Sequence, residues 1–158
     1  MDELSPILQA LYRGDAEAAA AARAERDELD VFEAAALGEA DELRRILARE
    51  PDAVTHWSAD GFTALHYAAF FGHPEAARAL IEAGSDIEAP SRNTEFAQDA
   101  RPLHSAAAAR QVDACRTLLV AGADPNAKQH GGYTPLEEAE ENEDEELAEL
   151  LRQHGATR

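Results

Sequence analysis

The sequence predicts an all-α fold, a solenoid of about five stacked helix pairs with short hairpin loops. Three observations carry this. The stretch from Asp60 to Ala89 reads as helix, tight turn, helix, loop, and the same pattern returns twice further along the chain. Leu103 and Leu136 occupy matched positions 33 residues apart, whereas Leu65 and Leu103 are 38 apart, a repeat period with about five inserted residues. Much of the apolar content is alanine, and aromatics make up only 6% of the chain. That composition suits thin helical layers better than a globular core with bulky fillers.

Residues 4–29 predict two helices forming a shortened, atypical first unit. Ile7, Leu8 and Leu11 recur at helical spacing, Gly14-Asp15 marks a turn, and Asp15 is placed to cap the alanine run 16–24. Such a unit covers the apolar end of a stack. Residues 30–57 predict a degenerate second repeat, in which Val31–Gly38 aligns with Leu65–Gly72 at an offset of 34. Asp30 is the expected cap, Leu43, Ile46 and Leu47 the second apolar face, and Pro51 the stop; Trp57 falls in the connecting loop.

Residues 58–90 give the clearest repeat. Thr63 is placed to cap the first helix with its hydroxyl. Leu65, Ala68 and Ala69 share a face, Gly72 supplies a left-handed helix end, and Pro74 sits where a missing N–H costs little. Ala76, Ala77, Leu80 and Ile81 form the second face. Residues 91–100 are a polar finger longer than the pattern requires, expected to be either functional or a mobile loop, and to be the first segment a protease cuts, near Arg92. In the repeat of residues 91–127, Arg110 stands where Gly72 stands one repeat earlier, so a turn of different shape is expected there. The last repeat, 128–158, holds nine acidic and no basic residues from Thr134 to Glu149. Leu136, Ala139, Leu147, Leu150 and Leu151 are expected inward, with residues 140–144 frayed by like charge.

The motifs Gly61-Phe-Thr-Ala-Leu-His-Tyr-Ala-Ala69, Arg101-Pro-Leu-His-Ser-Ala-Ala107, Gly132-Tyr-Thr-Pro-Leu136 and Ala121-Gly-Ala-Asp-Pro-Asn-Ala127 resemble ankyrin repeats. The resemblance covers residues 58–158 clearly and the N-terminal part more weakly. It implies an ankyrin-repeat solenoid over 1–158, with 128–158 as a capping repeat. It also implies a protein-binding role, through a concave groove built from hairpin tips and first helices. It makes His66 and His104 structural, hydrogen-bonding backbone to fix adjacent repeats. Asn126 has the context of an asparagine that a protein hydroxylase modifies in some ankyrin proteins; the plainer reading is that it ties down its own loop.

Composition narrows the function. A net charge of −18 argues against nucleic acid and against anionic membranes, and favours basic protein partners. No window is apolar enough to span a bilayer, and Met1-Asp-Glu-Leu-Ser5 lacks the features of a secretion signal. With one cysteine there is no disulfide framework, and a cytoplasmic location is the expectation; the chain is also expected to be a monomer. The histidines His56, His66, His73, His104, His130 and His154 form no His-x-x-x-His pair and join no cysteine at ligand spacing, so no metal is expected. Gly131-Gly132 lacks the lysine of a phosphate loop, and no cofactor is expected.

The sequence therefore reads as a non-enzymatic binding module. The expected partner contacts are Trp57, Asp60, Phe62, Phe70, Phe71 and Tyr133. Phe62, Phe70 and Phe71 together predict an exposed apolar patch; the alternative is that Phe70 or Phe71 turns inward above the alanines. Two other readings compete. One is a small cysteine-dependent enzyme using Cys115 with His104, and the other an acidic scaffold or inhibitor that mimics nucleic-acid charge.

Overall fold

The computed structural model describes residues 3–157. Met1, Asp2 and Arg158, the ends of the expected domain, lie outside the described residues. The described residues form helices and loops without strands. The helix pairs are α1 (Pro6–Tyr12) with α2 (Ala16–Ala24), α3 (Val31–Leu37) with α4 (Ala40–Arg49), α5 (Ala64–Phe70) with α6 (Pro74–Glu82), α7 (Pro102–Ala108) with α8 (Val112–Val120), and α9 (Pro135–Glu141) with α10 (Glu145–Gln153). First helices stack in one row, α1–α3–α5–α7–α9, and second helices in another, α4–α6–α8–α10. One continuous core runs between the rows, from Ile7 and Leu8 through Leu43, Leu65, Leu80, Leu103 and Leu118 to Leu147 and Leu151. Ala34, Ala35, Ala68, Ala69, Ala106 and Ala107 are fully buried, so small side chains let neighbouring first helices approach closely.

Caps set where each first helix begins. Asp30 accepts from the Glu33 amide at 2.8 Å, and Glu33 accepts from the Asp30 amide at 3.0 Å, satisfying two amides that the helix leaves open. Thr63 and Thr134 take the same position on α5 and α9. On α5 the reciprocal group is His66, whose Nδ1 accepts from the Thr63 amide at 3.2 Å. Its Nε2 then donates to the Ala100 carbonyl, 2.8 Å away in the following repeat. His104 repeats the device, accepting from the Arg101 amide and donating to the Ala127 carbonyl at 3.0 Å. In the last repeat Glu137 performs the reach-back alone, to the Thr134 amide at 2.8 Å.

Each helix pair turns through a left-handed residue. Gly38 (φ 73°) and Gly72 (φ 75°) are also held tight, because a Cβ on either would collide with His73 or Gln111. Arg110 (φ 57°) and Glu143 (φ 54°) adopt the same conformation without glycine's freedom. The turn at Arg110 therefore keeps the family of shapes seen at Gly72, contrary to expectation: backbone bonds on both sides override a local preference worth about 1–2 kcal/mol. The acid-rich residues 140–144 are not frayed either. They form the end of α9 and its turn into α10, where the Asp144 carboxylate caps α10 through the Leu147 amide.

The finger 91–100 departs from the mobile loop that is one of its two expectations. Asn93 Oδ1 accepts from the amides of Glu95, Phe96 and Ala97 at 3.0, 2.9 and 3.2 Å, and its side-chain amide donates to the Asp60 carbonyl at 3.0 Å. The Arg92 amide donates to Gly61 and the Ser91 amide to Ala100, both at 2.8 Å. One buried asparagine thus converts a polar insertion into a fixed arm lying against the hairpin of the third repeat.

Candidate functional site

The row of first helices carries most of the exposed rings. Tyr12 at the end of α1, Phe70 at the end of α5, Phe96 on the arm and Tyr133 before α9 are 37%, 36%, 70% and 45% exposed. Three of them, Tyr12, Phe70 and Phe96, border a hollow of about 300 Å³ together with Phe62, Tyr67 and Ala108. Its polar lining includes His66, His104, Ser105, Gln129 and Glu138. The hollow passes along Phe96, Gln129 and Glu138 into a trough with Tyr133 and Glu141. That trough in turn adjoins Glu137 and Glu140.

The expected contact residues divide into exposed and structural ones. Phe62 is a correction to the expected exposed patch: it is only 6% exposed, its ring 5.5 Å from His66 and 6.0 Å from Phe96. The arm covers it, which a hairpin position in a regular repeat does not foretell. Phe71 is half-buried, stacked parallel to Tyr67 with centroids 6.4 Å apart and 5.5 Å from Tyr12. Phe70 meets Phe71 edge-on at 5.0 Å and leaves its other side open. So Phe71 turns inward and Phe70 stays out. Trp57 is half-buried, with the Arg92 guanidinium 4.2 Å above its ring.

Asp60 is engaged within the chain. It accepts hydrogen bonds from the hydroxyls of Tyr12 (2.9 Å), Tyr67 and Ser58. Burial first, and then the Asp60 carboxylate for Tyr12 and the neighbouring Tyr12 for Tyr67, push both phenols well above the ordinary tyrosine range. Both therefore remain neutral donors at any physiological pH. Asp60 ties α1 to α5 across a separation of 48 residues and holds the Tyr12 ring at the edge of the hollow.

Sequence reasoning missed Tyr12, Phe96 and Glu138. The single aromatic within the polar finger 91–100 was the available signal for Phe96. Glu138 is half-buried, and no hydrogen bond or ion pair reaches its carboxylate among the described residues. Burial, and secondarily the charge of Glu141, raise its pKa above the ordinary glutamate value.

The residues of the enzymatic alternative are otherwise occupied. Cys115 is fully buried, and burial with some help from Asp144 pushes its thiol up to about 12, so no thiolate forms near neutrality. Both ring nitrogens of His104 are taken by backbone groups, and burial pulls its pKa down to about 4. Among the described residues no group of three or more His, Cys, Asp or Glu is arranged to hold a metal. No helix among them is long and apolar enough to cross a membrane. Asn126 ties its loop to the chain's last loop, donating to the Gly155 carbonyl at 3.0 Å and accepting from the Thr157 amide at 2.8 Å.

Comparison with known proteins places these features. A family model described as ankyrin repeats (three copies) matches residues 3–91 and 31–129. The human neurogenic locus notch homolog protein 4 is 38% identical over 97 residues, covering 61% of this chain and 5% of that protein. The human BCL-6 corepressor-like protein 1 is 31% identical over 103 residues, covering 65% of this chain and 6% of that protein. The chain thus spans about a twentieth of the length of either relative.

Proposed function

The chain belongs to the ankyrin-repeat family, and from that premise we propose that it is a non-enzymatic module that holds a partner protein against its row of first helices. Ankyrin repeats are protein–protein interaction modules; the finer reading concerns where and with what. The contact face is the concave groove of the stack, with Tyr12, Phe70, Phe96 and Tyr133 as the ring anchors. Trp57 and Arg92 form its outer margin, while Phe62, Phe71 and Asp60 support the anchors from beneath. The partner is basic, since the chain carries −18 and the groove runs into the acidic edge of α9. The module works in the cytoplasm as a monomer.

The observation that carries this reading is the hollow of about 300 Å³ with three partly exposed rings at its border. Rings left open around a preformed cavity are the usual anchors of an interface. The test is capture of partners from a native cytoplasmic extract, with identification by mass spectrometry, run in parallel on the wild type and on Phe96→Ser. The expected result is a protein retained by the wild type and lost on the variant, with thermal melting unchanged. Identical captured proteins on both baits would contradict the reading.

A further inference from the structure

The hollow is not a neutral apolar socket, and its lining says what enters it. Five aromatic rings border it: Tyr12, Phe62, Tyr67, Phe70 and Phe96. No lysine or arginine lines it. Its two histidines are neutral imidazoles, because each Nδ1 accepts a backbone amide and each Nε2 donates to a backbone carbonyl. Its one carboxylate, Glu138, has no cationic partner among the described residues, although the acids nearby are engaged: Glu137 by the Thr134 amide and Glu140 by Arg152.

We propose that this hollow receives one arginine side chain of the partner protein, its guanidinium against the aromatic rings and paired with the Glu138 carboxylate. The proposal rests on the reading of this face as the protein-binding surface. Three physical points select arginine. A purely apolar side chain would strip water from the half-buried Glu138 and offer nothing in return, an uncompensated charge that costs free energy. A lysine ammonium would meet the charge but is compact and strongly hydrated, so it covers little of the ring surface. The guanidinium is planar, weakly hydrated, stacks on aromatic faces and presents paired donors that match a carboxylate. The hollow is large enough for such a chain with its methylene stem. Glu141, next along the trough, favours further basic residues in the same segment.

The experiment selects binders from a random peptide library displayed on phage against the full chain. The best sequence is then resynthesised with the selected residue replaced by lysine, by leucine and by citrulline, which keeps the shape of arginine and removes its charge. Selected peptides are expected to share an arginine, and citrulline in its place should weaken binding about tenfold. On Glu138→Gln the arginine peptide should lose at least about fivefold, while the citrulline peptide should change little, so that the two changes are coupled. Phe96→Ser should weaken both peptides. Leucine or citrulline binding as well as arginine, or an arginine peptide indifferent to Glu138→Gln, would overturn the proposal while leaving the face a binding surface. Peptides indifferent to Phe96→Ser, or no peptides at all, would overturn the proposal and the assigned face together.

Discussion

The two rows of helices differ in what stands beside their surface charge. On the second-helix row Glu82, Glu145 and Glu146 are exposed without an ion pair among the described residues, and four arginines pair within their own helix: Arg44 with Asp41 (3.4 Å), Arg45 with Glu42 (2.7 Å), Arg78 with Glu75, and Arg116 with Asp113 (2.8 Å), each three residues apart. Such pairs sit in water and ask nothing of a partner. Val120 is the one large exposed apolar side chain of that row, and it stands alone. On the first-helix row Glu138 and Glu141 lack ion pairs among the described residues, and rings from α1, α5 and the arm stay open around a hollow. The difference teaches that acidity alone does not mark a binding face; charges without counterions beside uncovered rings do.

The largest effect expected comes from removing the end of both rows at once. Deleting residues 128–158 takes away α9 and α10, which pack against α7 and α8. The truncated chain should aggregate or lose its cooperative melt. A soluble truncation with unchanged melting would show that the stack does not need its last pair.

Next in size is the acid sensitivity that the first-helix row carries through its buried histidines. His66 and His104 are held near pKa 4, below their ordinary 6.5, chiefly by burial. The unfolded chain therefore binds protons that the folded one refuses. The stability from these neutral histidines is complete above pH 6.5 and is lost as pH falls toward 4, by up to about 1.4 kcal/mol per pH unit for each. Asp30 and Glu138, with raised pKa values, oppose this weakly in the carboxylate range. Thermal melts between pH 7 and 5 should show the loss, and His104→Asn, less stable at pH 7, should show a shallower slope. Equal slopes for both proteins would contradict it.

The smallest effect expected is on the second-helix row. Arg116→Ala breaks the exposed pair with Asp113 and should change stability by less than about 0.5 kcal/mol in a denaturant melt. A loss above ~1 kcal/mol would mean that this row is held by its charges after all.

What could be read from the sequence followed the range of the interactions. Caps at Asp15, Asp30 and Thr63 act over three residues, and their partners lie in the adjacent turn. The inward alanines and leucines follow from helical periodicity, and the roles of His66 and His104 from the resemblance to ankyrin repeats. The candidate site was less legible because it is built from distant pieces. Phe62 is covered by an arm whose shape depends on four bonds made by Asn93, one of them back to Asp60. Tyr12 is held at the site by Asp60, which receives its hydroxyl from 48 residues away, and by the rings of Tyr67, Phe70 and Phe71. The left-handed Arg110 likewise follows from the backbone bonds of its turn rather than from its own preference.

The contrast between the rows is tested most directly by one matched measurement. Affinity for the captured partner is determined, by calorimetry, for the wild type, for Phe70→Ser with Phe96→Ser, and for Arg78→Ala with Arg116→Ala. All three are first checked for equal melting temperature to within a few degrees. The first double variant should weaken binding by about 2 kcal/mol or more, and the second by less than about 0.5 kcal/mol. A partner that tolerates loss of both rings but not loss of the two arginines would place the binding face on the opposite row and contradict the account.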